Sequence, residues 1–204
     1  MELEKRWAAL WKDAAPGRVA ETFATLKKHY GEGGRAYHNL NHVAHCLAQL
    51  DGAGLRHPRP IELALWYHDA VYDPKRKDNE EESALLALFE LKNLGVPRHR
   101  RSDVERLILL TKHDKQPLIS LSGYTIVDID LSTLGGSPGE YEAYAKAIRQ
   151  EYDWVSEPDY IKGRTAVLQW FLERPRIYYT KHFYQLYEQS ARRNLAEEIK
   201  RLNQ

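Results

Sequence analysis

Apolar positions recur along this chain at helical spacing, and no clear run of alternating strands interrupts them. Leu3, Trp7, Leu10 and Trp11 mark a short amphipathic helix. Pro16 suits a first helical turn, and Val19, Phe23, Leu26 and Tyr30 carry the next stripe to the Gly31–Gly34 loop. Asn39 can cap a third helix whose stripe is Leu40, Val43, Leu47 and Leu50, closed by Gly52, Gly54 and Pro58. Pro60 opens a fourth, an apolar run from Ile61 to Tyr72 stopped by Asp73-Pro74. Asp78 or Asn79 caps a fifth, which ends at Asn93 before Gly95. A sixth runs from Ser102 to Thr111, with Lys112-His113-Asp114 at its end and Pro117 beyond.

The stretch Tyr124–Leu134 is ambiguous. Its β-branched residues suit a strand, whereas Ile126, Val127, Asp130 and Leu134 share one helical face. Pro138 starts a helix through Tyr141, Tyr144, Ile148 and Tyr152, and Val167–Glu173 and Tyr178–Leu202 complete the set. The pattern predicts an all-α protein: a single compact helical bundle over 1–204, with a core of about 20–135 and C-terminal helices 138–204 packing on it.

The 204 residues suffice to bury a core, and 43% hydrophobic with 29% charged residues is ordinary for a globular chain. A net charge of +1 gives no strong nucleic-acid signal. No apolar run approaches the ~20 residues of a membrane span. A single cysteine, Cys46, excludes an intramolecular disulfide and fits a reducing compartment, so a cytoplasmic location is expected. The compositional oddity is histidine: nine in all, with His38, His42 and His45 close together.

Three places carry candidate chemistry. His68 shares the apolar face of Ile61, Ala64, Leu65 and Tyr72, and Asp69 follows one step round. A buried carboxylate beside a buried imidazole is costly unless something compensates it, and a divalent cation would serve both; a His–Asp pair satisfying each other is the plainer account. His38 and His42 flank the start of the third helix, where imidazoles are common ligands or simply surface groups. Asp130, on the helical reading, is a carboxylate on an apolar face that calls for a counter-charge; as a strand or loop, the stretch would expose it.

The order His, His-Asp, distant Asp resembles the HD superfamily of metal-dependent phosphohydrolases. The strings YHNLNHV, WYHDAVYDP, DNEEESA, LTKHD, DIDLSTLG, IRQEY and GRTAVLQWFLERPRIYYT look like one bacterial subfamily of predicted metal-dependent HD phosphohydrolases, over nearly the whole chain. The resemblance implies an HD-type helical domain with metal ligands His42, His68, Asp69 and Asp130. It implies one or two divalent transition-metal ions, with Mn, Fe, Ni, Co and Zn all compatible with mixed nitrogen and oxygen ligation. It also implies a small phosphate substrate, a mono- or diester of a nucleotide or related metabolite. Tyr37-His38-Asn39 with His42 also looks like the cyclic-nucleotide phosphodiesterase motif, whose first histidine is a general acid, a role that falls here on His38. A metal- or nucleotide-binding regulator without turnover is the non-catalytic alternative.

Further candidates surround these. Glu81, continuing the face of Ala84, Leu85 and Leu88, is expected to orient the metal water, with Glu80 as the alternative. Asp73 resembles the acidic position after His-Asp in nucleotide pyrophosphohydrolases of the superfamily. His113 is a candidate second-metal ligand and Lys112 a candidate phosphate contact. Arg149 and Arg164, among tyrosines, are candidate substrate-binding forks, although arginine stems packing on tyrosines explain them equally. A homo-oligomer is compatible with all of this.

Overall fold

The computed structural model describes residues 3–55, 59–113 and 120–204. Among the described residues every regular element is helical: α1 (Leu3–Ala9), α2 (Pro16–Tyr30), α3 (Leu40–Gly52), α4 (Arg59–Tyr67), α5 (Asn79–Asn93), α6 (Arg98–Leu110), α7 (Leu121–Asp130), α8 (Pro138–Glu151), α9 (Glu157–Glu173) and α10 (Lys181–Leu202), with a 3-10 turn at Leu131–Gly135. The chain is therefore all-α. None of these helices is long and apolar enough to cross a membrane. The ambiguous stretch is helix α7, so its β-branched residues yield to the 3.6-residue pattern. Pro58, Asp114 and Pro117, expected to stop helices, lie outside the described residues.

The chain divides into two compact units, Met1–Leu118 and Ile119–Gln204. The sequence pattern groups the stretch up to about residue 135 with the earlier helices; here α7 and the 3-10 turn fall in the second unit.

In the first unit α4 is the central element, with every residue from Ile61 to Tyr67 buried. That is why its sequence is an unbroken apolar run rather than a stripe. Trp7 of α1 is wholly enclosed, donates from its indole to the Val19 carbonyl (3.1 Å) and meets the rings of Trp66 (5.4 Å) and Tyr67 (6.0 Å). Arg6 beside it reaches Glu62 (2.6 Å) and Asp51 (2.7 Å), tying α1 to α4 and to the end of α3. Asn39 caps α3 as expected, accepting from Asn41 N–H. Neither Asp78 nor Asn79 does so for α5: Asp78 makes no side-chain cap, and the Asn79 amide is engaged by the backbone of Asp73 instead. The buried side of α5 is Ser83, Ala84, Ala87 and Leu91, which leaves Leu85 and Glu81 outside it.

The second unit is organised by α10 against the 3-10 turn. Asn194 donates to the carbonyls of Leu134 and Gly136 (both 2.9 Å), and Ser190 donates to Gly135 (2.8 Å). Gly135 is required here, because a Cβ would stand 2.4 Å from the Cβ of Tyr187. Helix α9 begins ten residues earlier than the apolar stripe suggests, because Ser156 caps it and Pro158 occupies its first turn.

Asp128 is fully buried and accepts from the N–H groups of Tyr179 (2.8 Å) and Thr180 (2.7 Å) and from the Thr180 hydroxyl (2.7 Å). Burial raises its carboxyl to about 6 despite these donors. The folded state therefore binds this proton more tightly than the unfolded chain does. The contribution is fully present below about pH 4 and is lost as pH rises through about 6. The Asp128 carboxyl carbon should titrate in NMR with a midpoint near 6 rather than below 4. Asp128→Ala strands the donors of residues 179 and 180 and should cost about 1–3 kcal/mol per stranded donor in urea unfolding.

Candidate metal centre

Helix α4 stops at Tyr67, five residues before the end of its apolar run. His68 N–H still closes on the Ala64 carbonyl (2.8 Å), but His68 and Asp69 occupy the turn that follows the helix. That turn is held from two sides. Ser83 of α5 accepts from Val71 N–H (3.0 Å) and donates to the Val71 carbonyl (3.2 Å). Arg35, from the segment before α3, donates to the carbonyls of Asp69 (2.6 Å) and Ala70 (2.9 Å).

The turn faces His42, one turn into α3. Three atoms converge: His42 Nε2 and His68 Nε2 are 3.0 Å apart, His68 Nε2 and Asp69 Oδ2 2.9 Å, and His42 Nε2 and Asp69 Oδ2 3.4 Å. Atoms about 2.1 Å from one ion stand about 3.0 Å apart at a right angle and about 3.4 Å apart at the tetrahedral angle. The triangle has the edges of a coordination polyhedron.

Its protonation sharpens the point. His68 Nδ1 lies 3.0 Å from the Leu65 carbonyl, an acceptor, so Nδ1 carries the proton and Nε2 of the neutral ring presents a lone pair. Asp69 Oδ2 is buried and accepts no hydrogen bond. The lone pair of His68 Nε2 thus faces the Asp69 carboxylate, and a proton on His42 Nε2 or a cation among the three atoms relieves the repulsion. Burial opposes ionisation of Asp69, but the imidazoles of His68, His38 and His42, when protonated, outweigh it and hold the carboxyl well below the usual range.

Cys46, one turn beyond His42, is also fully buried, and His42, Cys46 and His68 each offer a ligand atom within 4.8 Å of the others. This group could hold a metal ion. The sulfur stands 3.7 and 3.8 Å from the two nitrogens of His42, so it lies beside the ring rather than in line with either lone pair. Nothing in the apolar stripe marked Cys46 except its four-residue spacing from His42. Arg35 and Ser83 carried no signal, since a charged loop residue reads as solvated and a helical serine as neutral.

The remaining candidates are placed as follows. His38 precedes α3, half-buried, with its ring stacked on Tyr72 (3.9 Å between centroids) and 6.1 Å from the ring of His42. Glu81 is exposed and paired with Lys112 (2.5 Å), whose ammonium also donates to the Lys77 carbonyl (2.8 Å). Glu80, the alternative to Glu81, is the half-buried carboxyl. Burial raises Glu80, and the Asp69 charge adds to the rise. Asp73 accepts from Lys75 N–H (2.9 Å) and so shapes the loop after Pro74. His113 takes a left-handed backbone (φ 58°) after α6.

In the second unit, Asp130 is the partly buried last residue of α7. Arg149 donates to the carbonyl of Tyr152 (2.7 Å), pairs with Glu157 (3.1 Å) and lies over Tyr160. Arg164 is paired with Glu198 (2.8 Å) in a largely buried setting, over Tyr144. Both guanidinium groups are engaged with carboxylates and tyrosine rings among the C-terminal helices, the packing arrangement weighed beside the substrate forks.

Comparison with family models, with curated proteins and with solved structures returned no match to this chain.

Ser83→Ala removes both contacts to Val71. It should cost about 1–3 kcal/mol in urea unfolding and accelerate amide exchange at Val71 specifically. Unchanged exchange there would mean that α5 does not hold the turn.

Proposed function

We propose that this protein is a metal-dependent phosphohydrolase of the HD type, acting on a phosphate mono- or diester of a nucleotide or related small metabolite. The observation that carries the reading is the triangle of His42 Nε2, His68 Nε2 and Asp69 Oδ2, with edges of 2.9–3.4 Å and a buried oxygen that accepts no hydrogen bond. The substrate class and the fourth ligand, Asp130, rest on the sequence resemblance.

A divalent transition ion held there supplies a water of lowered pKa and a positive charge for a phosphoryl oxygen. Mixed imidazole and carboxylate ligation suits Mn, Fe, Co, Ni or Zn. The protein's own contribution begins with His68, whose Nδ1–H bond to Leu65 fixes the tautomer and aims Nε2. Asp69 brings the negative charge. His38, on the neighbouring segment and steadied by Tyr72, holds the proton for the leaving oxygen. Glu80, half-buried near Asp69, is the carboxyl placed to orient a water.

Protein purified without an affinity tag should carry a stoichiometric transition metal, measured by mass spectrometry. His68→Ala and Asp69→Ala should lose it, and Asp130→Ala should lower its occupancy. His38→Ala should keep the metal and lose about 10²–10⁴-fold in turnover. Turnover is followed on para-nitrophenyl phosphate, its bis-ester and a nucleotide panel with Mn²⁺, Co²⁺ or Ni²⁺. Ring opening of cyclic nucleotides without phosphate release would assign the phosphodiesterase reading. Metal and nucleotide binding without hydrolysis under any ion would assign a regulator. Absence of bound metal in the wild type, with none taken up on titration, overturns the proposal.

A further inference from the structure

Arg35 contributes nothing to the ligand triangle, yet its side chain is only 3% exposed. It is the sole arginine of the Gly31–His38 segment, where a solvated cation would be the ordinary expectation. One Nη donates to the carbonyls of Asp69 (2.6 Å) and His38 (3.2 Å), and the other to the carbonyl of Ala70 (2.9 Å). The second Nη also pairs with Glu32 (3.2 Å). The planar group lies between two tyrosines, 5.5 Å from the centroid of Tyr30 and 5.8 Å from that of Tyr72. Tyr72 is the ring on which His38 stacks. One guanidinium therefore joins the backbone of the His68-Asp69 turn to the backbone of His38 and to the ring that supports it.

We propose that Arg35 is a positioning residue: a clasp that fixes the Asp69 carboxylate and the His38 imidazole relative to each other by holding their main-chain carbonyls. The proposal rests on reading the triangle as a metal site for its consequence, but the clasp itself is a statement about the metal-free protein. The backbone of the turn after α4 is bonded to the helix through His68 N–H to Ala64 and Ala70 N–H to Tyr67. Without Arg35, the carbonyls of Asp69 and Ala70 lose these donors, and the side-chain support that remains from another helix is that of Ser83 on Val71. A lysine carries the charge but not the planar fork, and it cannot reach three carbonyls on two segments.

The test compares wild type, Arg35→Ala, Arg35→Lys and Glu32→Gln. In metal-free protein, the ¹⁵N shifts of the His42 and His68 ring nitrogens report the Asp69 carboxylate. They should move in both Arg35 variants and stay in place in Glu32→Gln, which removes the pairs of Glu32 with Arg35 and His29 and leaves the Arg35 contacts to the three carbonyls. With Mn²⁺, the Arg35→Ala protein should bind about 10–100-fold more weakly, the usual effect of losing a group that orients a ligand. Its electron paramagnetic resonance line should broaden, and Arg35→Lys should recover at most part of the loss. Ring shifts, affinity and line shape identical to wild type in Arg35→Ala overturn the clasp. If Arg35→Ala does not fold, Arg35→Lys decides by the same comparison. If that also fails, the wild type decides: Zn²⁺ should slow hydrogen exchange at the Arg35 Nη groups, and unchanged exchange overturns the proposal. A wild type that takes up no metal while the metal-free shifts move ends the hydrolase reading and leaves the clasp standing.

Discussion

The constraint on which the first unit turns is the meeting of two buried imidazole nitrogens and a carboxylate oxygen within 3.4 Å of one another. His42 is 4% exposed and His68 1%, so neither ring can lend its lone pair to bulk water. Isolated burial of this kind costs several kcal/mol and is ordinarily eliminated by a hydrogen-bond partner. Here the surroundings do the opposite. The Leu65 carbonyl takes the one proton that neutral His68 has, which turns its other nitrogen into an acceptor facing the Asp69 carboxylate and the Nε2 of His42. A proton on His42 Nε2 offsets part of this repulsion, and an ion among the three atoms offsets it for all of them. A single proton on His68 Nε2 bridges to one neighbour well and to the other poorly. One cation reaches all three edges.

The second unit shows what a structural buried acid looks like in the same chain, and the contrast is informative. Asp128 accepts three hydrogen bonds, two of them from backbone N–H groups. Glu188 accepts from the N–H groups of Ile177 and Tyr178 and is paired with Arg192 (2.8 Å). Both carboxylates have donors aimed at them from their own unit. Asp69 is surrounded by the charge of imidazoles, but its inner oxygen accepts no hydrogen bond. Side-chain type and burial do not separate these acids; the supply of donors does. Adjacent letters in the sequence give no access to that difference, and Asp128 carried no signal in the helical pattern that singled out Asp130.

Much of the helical order was legible because the 3.6-residue stripe, the Asn39 cap and the Pro16 and Pro138 starts are local signals that tertiary packing reinforces. Three features were not. Helix α9 starts at a capping serine rather than where its apolar residues begin. Glu81 and Glu80 differ by one position, hence by about 100° around α5, and only the packing of that helix decides which carboxyl is turned inward. Arg149 and Arg164 were chemically suited to phosphate. What commits them to Glu157 and Glu198 is the approach of segments up to 34 residues away. Of the candidate site, the residue types His42, His68 and Asp69 could be read from the chain, and their convergence could not.

The point at which α4 ends makes that convergence possible. Neighbouring residues on an α-helix project about 100° apart, so His68 and Asp69 inside a continuous helix would aim at different targets. The apolar run to Tyr72 suggested such a helix. Ending it at Tyr67 releases Asp69 into a turn whose side chain can swing onto the same point as His68, 2.9 Å from its Nε2. A turn has less of its own hydrogen bonding than a helix, and its precision must come from outside. Ser83 and Arg35 supply it through main-chain contacts, and the buried length of α4, fastened by Trp7 and Arg6, fixes where the turn begins. The His-Asp pair is thus positioned by a helix buried from Ile61 to Tyr67 and a separately held turn, the division of labour expected where two adjacent side chains must share one target.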